Sequence, residues 1–109
     1  MIEIVNSKAD VKRYLNAVCA LFDLYALKGK RAEGPGSLKA LKKVIETVHS
    51  GKMYDSEPAK KELFIHHLLK GESIEKVSER INFSKSYTYA LRQEILKEIA
   101  MMVFEVIIV

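Results

Sequence analysis

Residues 84 to 93 read SKSYTYALRQ, a run dense in side chains that can hydrogen-bond. The Arg92 guanidinium is a rigid fork that matches guanine O6 and N7, and the Gln93 amide can pair bidentately with adenine. The hydroxyls of Ser84, Ser86 and Tyr87, with the free amides of a helix start, suit phosphate oxygens. Lys85 and Tyr89 complete the same face. Lys70, Lys76, Arg80 and Lys97 flank it as cations for sequence-independent phosphate contacts. The chemistry these residues offer is recognition of double-stranded DNA rather than bond-making.

Other reactive residues offer less. His66 and His67 are adjacent, so on a helix they point about 100° apart and do not readily share a metal. Glu62 and His66 form an i, i+4 pair without a third ligand, so no metal site is expected. One histidine is expected in the core and the other on the surface. Cys19 is the only cysteine and lies among Val18, Ala20 and Leu21, the setting of a buried thiol acting as a small hydrophobe. The segment GKRAEGPGS is glycine-rich and basic but lacks the G-K-[ST] ending of a phosphate loop. It reads as an interhelical loop, and Lys30 and Arg31 within it, with Lys28 just before it, could touch a DNA backbone. Glu57, Glu62, Glu72, Glu75, Glu79, Glu94 and Glu98 read as solvated, so no carboxylate pair suggests acid–base catalysis, and neither an enzyme nor a cofactor is expected.

Helices must position the 84–93 face. Apolar residues at Val11, Tyr14, Leu15, Val18, Phe22 and Tyr25 follow i, i+3, i+4, i+7 spacing and predict a helix from Ser7 to about Leu27. Gly29 and the 34–36 Gly-Pro-Gly stretch end it. Ser37 is the expected N-cap of a second helix with the stripe Leu38, Leu41, Ile45 and Val48, stopped by Gly51. After the connector GKMYDSEPAK, with Ser56 as cap and Pro58 in the first turn, a third helix runs through Leu63, Phe64, Leu68 and Leu69 to Gly71. Ser73 caps a short fourth helix with Ile74, Val77 and Ile81 on one face. Ser84 caps the last, whose stripe is Thr88, Leu91, Ile95, Ile99 and Met102.

The last two helices read as a helix-turn-helix. Ser78 is small enough for close approach, Asn82 tolerates a left-handed turn, and Phe83 is expected to plug that turn. Thr88 and Leu91 close over Ile74 and Val77, which leaves Lys85, Ser86, Tyr89, Arg92 and Gln93 outward. Such motifs insert this end of the second helix into the major groove.

The stretch FIHHLLKGESIEKVSERINFSKSYTYALRQEILKEI, residues 64 to 99, resembles the helix-turn-helix of sigma-factor region four. The resemblance rests on L-x-G before the motif, on Ser73-Ile74 and Val77, and on S-x-S-Y at 84 to 87. It also resembles the late transcriptional regulators of phages of Gram-positive bacteria, the ArpU and RinA groups. Ser78 stands where alanine is usual, and Asn82 where glycine is frequent. The resemblance implies promoter binding through Lys85, Ser86, Tyr89 and Arg92. A phage small terminase subunit is the alternative within DNA binding, and a module that binds RNA polymerase or a sigma factor is the alternative outside it.

Composition agrees with such a protein. A chain of 109 residues, 49% hydrophobic and 29% charged, supports one compact domain, and a net charge of +4 favours polyanionic partners. Residues 1–56 read as a helical support or dimerisation part and 57–109 as the DNA-binding part. No signal peptide is read at the start, so a cytoplasmic location is expected. The final eleven residues, IAMMVFEVIIV, include ten apolar ones but would rise only about 16 Å as a helix, too little to span a bilayer. They are expected to be buried, as core or, preferentially, in a homodimer. No stretch shows sustained period-two alternation, and the tail has no evident strand partner. The expected fold is all-α, about five helices ending in a helix-turn-helix, with RNA polymerase a further expected partner.

Overall fold

The computed structural model describes residues 2–28 and 36–109, so the glycine-rich loop, with Lys30 and Arg31, lies outside the described residues. The fold is all-α, with five helices among the described residues and one very small sheet. Helix α1 spans Lys8–Lys28, and the Ser7 hydroxyl caps it by accepting from the Asp10 amide at 3.1 Å. Helix α2 spans Gly36–His49. Ser37 therefore lies inside α2 rather than capping it. Gly51, at φ +76°, lets the chain reverse after α2.

Helix α3 begins at Pro58, whose missing amide costs nothing in a first turn, and spans Pro58–Glu62. Its N-cap position is Glu57, without a side-chain cap, in place of Ser56. The helix continues into a π-helical turn over Leu63–Leu69, which carries both neighbouring histidines. Helices α4, Ile74–Ile81, and α5, Lys85–Phe104, complete the set.

Helix α5 packs on α1, α2, α3 and α4, so both halves of the sequence share one core. Phe64 is fully buried, with the Phe22 ring edge-on at 5.6 Å and the Tyr54 ring at 6.2 Å. Val18, Leu38, Leu41, Val48, Leu63, Val77, Ile95 and Ile99 are buried in the same core. Each such side chain contributes roughly 1.5–3 kcal/mol, which anchors α5 from Thr88 to Val103. Val103 is buried on that stripe, and Met102 points out instead.

The tail departs from the expected helix. Glu105 adopts a left-handed conformation, φ 54°, which stops α5 and turns the chain back. Val106–Ile108 then forms β2, parallel to β1 at Glu3–Val5, with Ile4 beside Ile107. A strand partner thus exists, at the far end of the chain. Val5 and Val106 face the core, whereas Ile4, Ile107 and Val109 are exposed. Ile99, Ala100, Val103 and Val106, four of the ten apolar tail residues, are therefore buried within their own chain. No helix among the described residues is long and apolar enough to cross a membrane.

Candidate nucleic-acid interface

The α4–α5 unit is built by local capping. Ser73 accepts from the Lys76 amide at 3.3 Å and Ser84 from the Tyr87 amide at 3.1 Å, each relieving an orphan donor at a helix start. Between them Asn82 sits at φ 63°, ψ 36°, and ends α4. Thr88 is fully buried and spends its hydroxyl on the Ser84 carbonyl at 2.8 Å. Ser78 is buried and hydrogen-bonds to the Glu75 carbonyl, so its polar atom costs little at the close approach. Ile74, Val77, Thr88 and Leu91 form the seam.

The opposite face of α5 is open. Ser84, Lys85, Ser86 and Gln93 are exposed, as are Tyr87 at 55% and Tyr89 at 46%. Phe83 does not plug the turn. It is 43% exposed and meets the Tyr87 ring edge-on at 4.9 Å, which makes an aromatic pair on the surface.

The cations are less free than their positions in the sequence suggest. Lys85 pairs with Glu75 at 2.7 Å, and this contact raises the lysine pKa and lowers that of the glutamate. Arg80 bonds Glu62 and Glu72, each at 2.9 Å, with His66 Nδ1 also 2.7 Å from Glu72. The hydrogen bonds from Arg80, then His66, hold Glu72 at about 2 against the opposing effect of burial. Lys70, Lys76 and Lys97 are exposed, with no side-chain partner seen among the described residues.

Arg92 is half-buried rather than outward. Its Nε donates to His67 Nε2 at 2.9 Å, Nη1 reaches the Gln93 amide oxygen at 3.4 Å, and Nη2 lies 3.5 Å from Cys19 Sγ. His67 in turn makes a 2.7 Å bond through Nδ1 to the Glu72 carbonyl oxygen. Both histidines are thus half-buried in polar networks, neither in the apolar core nor free on the surface. The π-helical turn, with its wider winding, places one toward Arg80 and the other toward Arg92. Spacing in the sequence gave no signal for His67 or Cys19 as neighbours of Arg92.

A second network anchors the back of α5. Lys60 is buried, and its ammonium lies 3.0 Å from Glu98, 3.3 Å from Glu94 and 3.5 Å from Glu57. Burial works against its charge, but the hydrogen bonds to Glu98 and Glu94 outweigh it and raise the lysine pKa. The Tyr54 hydroxyl donates to Glu98 at 3.0 Å, and burial, with that carboxylate, pushes its pKa well above the usual range. Glu57, Glu94 and Glu98 are therefore not simply solvated. They neutralise a buried cation and tie α3 to α5.

No group of three or more His, Cys, Asp or Glu residues is placed to hold a metal among the described residues. Comparison with protein-family models, with curated proteins and with solved structures yields no match.

Proposed function

We propose that the chain is a sequence-specific DNA-binding transcriptional regulator that reads the major groove with residues 84 to 93 of α5. The observation that carries this reading is the α4–α5 unit itself. A left-handed Asn82 and a capping Ser84 join two helices over a buried Val77–Thr88–Leu91 seam, while Lys85, Ser86, Tyr89 and Gln93 stay outward. Lys76 and Lys97 supply unengaged charge beside that face, and the exposed Ser84 hydroxyl still has its proton to donate. Arg92 joins base reading by leaving His67, at a cost of about 0.5–1.5 kcal/mol for one hydrogen bond. The resemblance to sigma-factor region four and to phage late regulators supports promoter DNA as the target. A symmetric pair of copies, meeting through the exposed Met102, Ile107 and Val109, would present two half-sites.

A duplex titration tests the reading: affinity should fall with salt at a log–log slope of about −4 to −7. Selection from a random duplex pool should return one preferred sequence. A flat salt response would sink the proposal.

The exposed Phe83–Tyr87 pair favours a second reading, an interaction module that docks a protein such as RNA polymerase. Exposed aromatics in contact are typical anchors of protein interfaces, and DNA backbone contacts have little use for a phenylalanine. Phe83→Ala separates the two, because it should spare duplex binding and abolish protein docking.

A further inference from the structure

A groove of about 700 Å³ runs between α1 and α5, within the size range of small-molecule sites. Its walls carry four cations, Lys8 and Lys12 one turn apart on α1, and Arg92 and Lys97 on α5. No acidic side chain lines it. Its floor is apolar, formed by Val11, Leu15 and Leu96. From these observations we infer that the groove is a binding site for a small organic anion, a carboxylate, sulfonate or phosphate carried on an apolar body.

Charge decides the class of ligand. Like charges along one groove repel each other, and an anion relieves that repulsion while forming charge-assisted hydrogen bonds. Lys8, Lys12 and Lys97 have no carboxylate partner among the described residues, in contrast to Lys60, Arg80 and Lys85. Arg92 is already oriented by His67, and its guanidinium keeps donors to spare beyond those directed at His67, Gln93 and Cys19. A fixed fork loses little side-chain freedom on binding, which favours an anionic head at this point. The apolar lining then selects against bare inorganic anions, because water over the half-buried Val11, the exposed Val109 and the lysine stems is released only by an apolar body.

Anilinonaphthalene sulfonate, an anion with an apolar body, is a direct probe, read by its fluorescence on titration into the intact chain. Saturable binding to one site is expected, with displacement by decanoate but not by inorganic sulfate or by decyltrimethylammonium. Lys12→Glu and Lys97→Glu, both at exposed positions, should each weaken the probe on the order of tenfold. Lys39→Glu, on α2 and outside the groove, should leave it unchanged. Equal displacement by sulfate or by the cationic amphiphile would overturn the inference, as would full affinity in a Lys12→Glu/Lys97→Glu double variant. Sedimentation with phosphatidylglycerol vesicles without displacement by monomeric decanoate would overturn it too, in favour of a membrane surface. The site does not depend on the reading of α5 as a DNA helix. Probe fluorescence and duplex titration can fail separately.

Discussion

The Nε of Arg92 and the Nε2 of His67 are 2.9 Å apart, and His67 Nδ1 lies 2.7 Å from the Glu72 carbonyl oxygen. The carbonyl can only accept, so Nδ1 carries the proton and Nε2 receives the arginine. The latch therefore joins the π-helical turn to α5 through a neutral imidazole. His67→Ala should remove it and lower stability by about 0.5–1.5 kcal/mol, read as a shift in the urea midpoint. Duplex affinity should hold or rise, because Arg92 is released. A tenfold loss of duplex affinity would mean that the latched arginine is the form that binds. Arg92→Ala should cost about 1–3 kcal/mol of binding and blur one base position, whereas Lys97→Ala should weaken all sequences alike.

Asn82 at φ 63° stands where a side chain is strained. Asn82→Gly should be neutral or stabilising, because glycine enters that region freely. Asn82→Val should cost upward of about 1–2 kcal/mol and weaken duplex binding together with stability. Equal melting temperatures for the two variants would show that the turn does not depend on this conformation.

Acid should loosen the contact between the π-helical turn and α4. Glu72 is held at about 2 in the folded chain, chiefly by its hydrogen bonds from Arg80. Its contribution is complete above the ordinary carboxylate range and is lost as pH falls from there toward about 2. Urea midpoints should therefore drop across that interval, and less steeply in Glu72→Gln. Parallel profiles for the two proteins would count against the Glu72–Arg80 pairing.

At the alkaline end the back of α5 should fail first. Lys60 and Tyr54 both have raised pKa values, so the folded chain holds their protons after the unfolded chain has lost them. Their stabilisation is complete below the ordinary lysine and tyrosine values and declines as pH rises beyond them. Tyr54→Phe should flatten that decline and, by removing the bond to Glu98, cost about 1 kcal/mol near neutrality. Hydrogen exchange of amides in α3 measures the same loosening. An unchanged alkaline profile in Tyr54→Phe would remove the tyrosine from the explanation.

What could be read from the sequence is what is decided locally. Ser73, Asn82, Ser84 and Thr88 act on neighbours within four residues, so capping chemistry and helical spacing suffice to place them. Helices α1 to α5 follow from apolar periodicity for the same reason. Arg92 is not placed by that reading, because helical phase fixes the Cα–Cβ direction, and a long side chain can fold back along the surface. Lys60 carries no such local signal, because two of its carboxylates, Glu94 and Glu98, arrive on a different helix. The sheet is not legible either, because two strands of three residues each carry almost no alternation to read.

That sheet has a kinetic corollary. Its strands are separated by roughly a hundred residues, so forming it closes nearly the whole chain into a ring and incurs the corresponding loop entropy. Six paired residues offer little enthalpy in return until α1 and α5 are already side by side. The clasp should therefore assemble late in folding and breathe early under stress, with the amide of Val109, which bonds the Val5 carbonyl, among the first to trade its hydrogen for deuterium.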